Sequence, residues 1–170
     1  MAIRIRPAAK TDIALILRFI RGLAEYEKLL DSVVATEEKI RATLFGPKPY
    51  AEVVIAEYEG EPAGFALFFH NYSTFLAQPG IYLEDLFVDP LYRGKGIGKS
   101  LLTHLAQLAV ARNCGRLEWS VLDWNDPAIG FYKSLGAVPM DEWTIFRVTG
   151  EALSKLADTQ PMPNSKGSRV

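Results

Sequence analysis

The chain has 170 residues, a formal net charge of −1, and 49% hydrophobic against 23% charged residues. That balance suits one soluble domain with a substantial core, and it gives no global pull toward nucleic acid or anionic membrane. With one cysteine (Cys114), no apolar signal core in "MAIRIRPAAKTD" and no run near the roughly 20 apolar residues of a membrane span, a soluble cytoplasmic protein is expected.

"IRIRPA" (3–8) alternates apolar and basic residues and reads as a strand. Thr11 is placed to cap a helix, with Asp12 in its first turn and Ile13, Ile16, Ile20 and Leu23 on one face, running toward "AEYEK". A second helix is expected from Thr36 to Phe45, stopped by "GPKP". "AEVVIAEYEGEPAGFALFFH" reads as a hairpin around the turn "EGEP", and "IYLEDLFV" (81–88) as a further strand ended by Pro90. After a glycine-rich turn, Leu101, Leu102, Leu105, Leu108 and Ala109 define one helix face. The strand "RLEWSVL" (116–122) follows, then a short helix with Asp126 at its cap, Pro127 as its first residue and Gly136 as its stop. "WTIFRV" (143–148) is expected to close the sheet, and 158–170 to form a flexible tail behind a single domain of residues 1–157. The order of elements predicts an α/β protein with a central mixed sheet flanked by helices.

The turn "YRGKGIGKS" (92–100) carries the chemistry. It leads from a strand into a helix, so backbone N–H groups converge at the helix N-terminus, where they suit a phosphate. Gly94, Gly96 and Gly98 are spaced G-x-G-x-G, which is not the dinucleotide fingerprint. Gly98, Lys99 and Ser100 imitate the end of a P-loop, but Arg93 stands where its first glycine belongs; a small NTPase is the alternative this leaves. Arg93, Lys95 and Lys99 add charge to a cradle that can take pyrophosphate without a metal. Two histidines and one cysteine make no convincing metal site, and Cys114 has no nearby histidine or cationic motif to activate it.

"VDPLYRGKGIGKSLL" resembles the acetyl-CoA motif of the GNAT superfamily of N-acetyltransferases, R-x-x-G-x-G/A, at Arg93, Gly96 and Gly98. "LAEYEK", "IYLEDLFV", "VLDWNDPAIGFYKSLGA" and "DEWTIFRV" are similar to the diamine acetyltransferases, the group of spermidine/spermine and thialysine enzymes. The resemblance implies a GNAT-like fold, with acetyl-CoA as co-substrate, a small amine as acceptor and a homodimer. It implies that Arg93 to Lys99, including Ile97, bind the CoA pyrophosphate, and that Leu86, Phe87 and Val88 offer backbone groups to the pantetheine arm and acetyl carbonyl. Asn125, Asp126, Pro127 and Ala128 would also contact the cofactor.

An ammonium must lose a proton before it attacks a thioester. Glu84 lies in an apolar run, where partial burial is expected to raise its carboxyl toward neutrality and make it the base. Adjacent Asp85 should point to the other side of the strand and contact the acceptor. Tyr132, which matches the family's general acid, is expected to protonate the departing thiolate. For a cationic acceptor the matching positions are Tyr26, Glu27, Glu84, Asp85 and Glu142, where carboxylates and aromatic rings offer charge pairing and cation–π contact. The expected reaction is direct acetyl transfer in a ternary complex without a metal; a CoA sensor without turnover is the binding-only alternative.

Overall fold

The computed structural model describes residues 2–159. The expected tail lies outside the described residues except for Asp158 and Thr159. The chain divides into two compact units, one ending at Asn125 and the other starting at Asp126.

The first unit contains β1 (Ile3–Pro7), α1 (Ile13–Tyr26), α2 (Glu37–Leu44), β2 (Glu52–Tyr58), β3 (Glu61–Ser73), β4 (Gln78–Val88), α3 (Ile97–Ala111) and β5 (Leu117–Trp119). Its sheet runs β1-β2-β3-β4-β5, antiparallel throughout except for the parallel β4–β5 pair. The mixed sheet anticipated from the element order is therefore present. The β2–β3 turn is tighter than "EGEP" suggests: Glu59 (φ +50°) and Gly60 (φ +88°) form it alone, and both positive angles match the strand twist of a two-residue hairpin. The β3–β4 hairpin reaches back to Gln78, a segment whose Pro79 and Gly80 look like turn residues in the sequence.

Strand alternation sends side chains to two layers. Ile13, Ile16, Leu17 and Phe19 of α1 pack with Ile40 of α2 and with Val53, Ile55, Phe65 and Phe87 from the sheet. Phe19 stacks on Phe65 with ring centroids 5.6 Å apart and tilts against Phe87 at 5.9 Å. Leu101, Leu102, Leu105 and Ala109 are the buried face of α3, as their spacing predicts, whereas Leu108 is only partly buried.

The start of α1 is built differently from the expected Thr11 cap. A 3-10 turn, Lys10–Asp12, precedes the helix, and Asp12 is buried. Its Oδ2 accepts from the Ala9 N–H at 2.7 Å, and its two oxygens accept Arg6 Nη1 and Nη2 at 2.8 and 3.0 Å. Arg6 Nε donates to Glu57 Oε1 at 2.6 Å, so one guanidinium ties β1, β2 and the entry to α1. Arg6 holds the Asp12 carboxyl below its ordinary 3.8. Removing this carboxylate leaves a buried N–H and half a guanidinium unpaired, so Asp12→Ala should cost about 2–4 kcal/mol. Because the folded-state pKa is depressed, the contribution is complete above 3.8 and is lost as pH falls toward the folded value. Urea melts of the two proteins should therefore converge in acid; a gap independent of pH would exclude the ion pair as its source.

In the second unit, α4 spans Asp126–Ser134 and α5 spans Gly150–Asp158. Gly136 ends α4 as expected, with φ +90°, its N–H donating to Lys133 O at 3.0 Å and that of Ala137 to Tyr132 O at 3.2 Å. The expected strand at 143–148 does not form: none of its residues is paired in a sheet, and Trp143, Ile145 and Phe146 are exposed. β-Propensity expresses packing against a pleated neighbour, and an aromatic-rich run without a paired strand has nothing to express it.

Candidate active site

β4 positions the first part of the site. β4 and β5 pair only at Ile81–Leu83 with Leu117–Trp119. Beyond Leu83 the strands part, and Asp85–Val88 are paired on the β3 side alone. Leu67 pairs with Asp85 while Phe68 pairs with Leu83, so Glu84 is an extra residue, a β-bulge. A bulge offsets the alternation. Phe87 faces α1 opposite Phe65, and Asp85 shares that face opposite Leu67. Leu86 and Val88 turn toward the start of α3, where a methyl group placed on Gly98 would lie 3.9 Å from Leu86 Cδ2 and 3.8 Å from Val88 Cγ2.

This register corrects the expectation for the two acids. Glu84 is exposed, and Asp85 is the half-buried member. Burial, then the neighbouring charges of Glu84 and Glu27, push the Asp85 carboxyl up to about 6. Glu27, just past the end of α1, is itself raised by burial. The acid tuned toward neutrality is thus Asp85, because the bulge turns Glu84 outward.

The glycine turn is shaped as its sequence implies. Asp89 Oδ1 accepts from the Leu91 N–H at 3.0 Å, which turns the chain out of β4. Gly94 and Gly96 have φ of +78° and +82°, the left-handed region that glycine enters without penalty. Gly96 caps α3, and Ile97, its first residue, is 1% exposed and anchors the helix end. The N–H groups of Ile97, Gly98 and Lys99 begin a 15-residue helix and have no intrahelical acceptor, so they can hold an anion. Gly96→Ala must adopt a strained angle at about 1–2 kcal/mol, whereas Gly98→Ala meets only ordinary contacts. Where the helix start holds the co-substrate that the resemblance implies, both should weaken acetyl-CoA binding in calorimetry, and only Gly96→Ala should also lower Tm. Full affinity in Gly98→Ala would show that no ligand approaches that backbone.

Aromatic rings hold two of the three basic residues in the turn. Arg93 lies over the Tyr26 ring at 5.0 Å and donates from Nε to Val88 O at 3.2 Å. Lys95 lies over Tyr58 at 4.8 Å, and Tyr58 packs on Tyr92 at 6.0 Å. Sequence reasoning missed Tyr58 and Tyr92, which carry no local signal of this role. Tyr26 closes α1, whose end is a Schellman turn: Lys28 has φ +61°, its N–H donates to Glu25 O, and that of Leu29 donates to Ala24 O. Beyond β5, the Asn125 N–H donates to Leu122 O at 2.9 Å, and its buried side chain accepts the Tyr26 hydroxyl at 3.1 Å. A groove of about 550 Å³ between α1 and the end of β4 is lined by Arg18, Gly22, Tyr26, Phe87, Asp89 and Arg93. The first unit thus brings Tyr26, Glu27, Asp85, Phe87, Arg93 and Asn125 together around the end of β4.

The remaining predicted residues belong to the second unit. Asp126, Pro127 and Ala128 open α4. Tyr132 is on the same helix, half-buried, with its ring 5.7 Å from that of Phe131. Glu142 is exposed in the segment between α4 and α5. Among the described residues, no three His, Cys, Asp or Glu side chains group as a metal site would need, and no helix is long and apolar enough to cross a membrane.

A family model described as the acetyltransferase (GNAT) family matches residues 21–137, a span that runs from the end of α1 through the bulged strand and the glycine turn. The chain belongs to that family. This acetyltransferase is 43% identical over 166 residues to the thialysine N-epsilon-acetyltransferase of Bos taurus, a match covering 91% of this chain and 97% of that one. It is 36% identical to the L-ornithine N5-acetyltransferase NATA1 of Arabidopsis thaliana, over 90% of this chain and 87% of that one. Among solved structures, an integron cassette protein from the mobile metagenome of V. cholerae matches with a TM-score of 0.79 and 32% identity, covering 94% of this chain and 99% of that one. The acetyltransferase is an enzyme of a family whose co-substrate is acetyl-CoA. These relatives favour neither the NTPase nor the sensor alternative.

Proposed function

We propose that the enzyme moves acetyl from acetyl-CoA to the primary amine of a short cationic acceptor, such as a lysine-like amine or small diamine. The turn from Arg93 to Lys99 takes the pyrophosphate, with Asn125 to Ala128 adding contacts, and the backbone of Leu86 to Val88 lines the pantetheine arm. Glu27 and Glu84 meet the acceptor's positive charge, with Glu142 as a further carboxylate. Asp85 takes the ammonium's proton and the free amine attacks the acetyl carbonyl; as the C–S bond breaks, Tyr132 gives its phenolic proton to the departing sulfur and the nitrogen's second proton restores the phenol, leaving an amide and CoA thiol. No metal takes part, and residues 1–157 act as one functional domain.

The observation that carries this reading is Asp85, whose carboxyl at about 6 is ionised at neutral pH yet basic enough to accept a proton. The names of the relatives, thialysine and ornithine acetyltransferases, support a short amine. So does the charge distribution. Acids sit beside the bulge at Glu27, Glu84 and Asp85, while Ser73 and Thr74 occupy the preceding hairpin, where a long polyamine would need distant carboxylates. Offered together in one reaction, a short diamine or lysine analogue should show the higher kcat/KM over spermine. Spermine or spermidine winning by about tenfold or more would overturn the short-amine assignment.

A homodimer and a cytoplasmic location complete the proposal. Exposed Val138, Met140, Trp143, Ile145 and Phe146 give the second unit an apolar surface for a second copy to cover. Light scattering that finds only monomer at working concentration would remove that part.

A further inference from the structure

Tyr26 was expected to receive the acceptor's charge on its ring. In the structure that ring already carries a cation, the Arg93 guanidinium at 5.0 Å, and its hydroxyl is committed to Asn125 Oδ1 at 3.1 Å. A second cation on the same ring would meet both a filled site and like charge. The two partners come from opposite flanks of the parted strands: Arg93 from the turn after β4, and Asn125 from the segment after β5. Trp124 packs on Tyr26 at 6.1 Å and carries Lys28 over its own ring at 5.2 Å, so the end of α1 is held on both sides of its last helical residue. Arg93 forms no ion pair among the described residues. It is oriented by the Tyr26 face and by the Val88 carbonyl.

We propose that Tyr26 is a positioning residue of the cofactor site: it stacks Arg93 and tethers Asn125 so that both are set before acetyl-CoA arrives. An exposed arginine loses much side-chain freedom when it grips a phosphate. Stacking on a ring removes part of that freedom in advance, which strengthens binding without a new ligand contact. The inference rests on the cofactor cradle proposed above, and it moves Tyr26 from acceptor recognition to cofactor binding.

The test is a double-mutant cycle on acetyl-CoA affinity, measured by calorimetry with wild type, Y26F, Y26L, R93A and Y26L/R93A. Y26F keeps the ring and should stay within about threefold of wild type, the share left to the Asn125 bond. Y26L should weaken binding by about tenfold, and it should add no more than about threefold, the Asn125 share, once Arg93 is gone, because the rest of its effect runs through that side chain. Arg93→Lys, which leaves every packed residue in place, should lose about fivefold because an ammonium cannot stack as a plane. Losses that multiply in the double variant would overturn the inference, as would Y26L with unchanged acetyl-CoA affinity and a raised KM for the amine. If Y26L does not fold, wild-type affinity in Arg93→Lys overturns it alone. Wild-type protein without affinity for acetyl-CoA would sink the proposed function and this inference together; binding with independent losses would sink this inference only.

Discussion

Asp85→Asn should abolish most turnover and, at neutral pH, make the protein more stable. Loss of a positioned base is expected to lower kcat/KM by about 10²–10⁴-fold. The wild-type kcat/KM should fall as pH drops through about 6, the Asp85 value, and the variant should lack that limb. Stability moves the other way. The folded carboxyl sits above its ordinary 3.8, so the native state holds its proton more tightly than the unfolded chain. Ionised Asp85 therefore costs stability fully above about 6 and nothing well below 3.8. At about 1.4 kcal/mol per pH unit the cost is up to about 3 kcal/mol, reduced in practice because asparagine is also polar. Thermal melts should show the variant's advantage shrinking as pH is lowered from neutral. Glu84→Gln removes one of the charges that raise Asp85, so it should move the limb to lower pH without abolishing it and give only a minor part of the stability gain; loss of the limb there would return the base to Glu84.

Tyr132→Phe should lower turnover by about 10²–10⁴-fold while leaving acetyl-CoA affinity within about twofold, since the ring stays and only the transferable proton is lost. Removing the acid should matter less for acyl donors whose thiols leave more readily. Unchanged turnover in single-turnover experiments, where chemistry is isolated, would remove Tyr132 from the mechanism.

How much of this could be read from the sequence depended on the range of the signal. Helix α3 announced itself through a leucine face, and the turn from Arg93 to Gly98 through its glycine spacing between a strand and a helix. Each is contiguous in the chain. The burial of Glu84 was misjudged for a reason internal to strands: alternation is legible, but a bulge that shifts it by one is not, and the shift decided which of the two acids was the less exposed. The segment 143–148 was misread because aromatic and β-branched residues advertise a strand without saying whether a partner exists. β5 shrank to Leu117–Trp119 as its pairing with β4 ended. Tyr26 and Arg93 lie far apart in sequence and meet only through the fold, so residue type alone suggested an acceptor contact.

The parting of β4 from β5 has a consequence for how this enzyme can vary. Along Asp85–Val88 one side of the main chain is hydrogen-bonded to β3, and the other is left without a strand neighbour. A co-substrate lying there would read peptide groups, which are the same for every residue except proline. Leu86 and Val88 are then answerable to the packing of α3 rather than to the ligand, and related sequences can exchange them for other apolar side chains without touching recognition. Alanine scanning would pass over such a site, registering lost packing and missing the contacts themselves. An amide-to-ester replacement in the main chain, which deletes one N–H and keeps every side chain, is the change to which it would be sensitive.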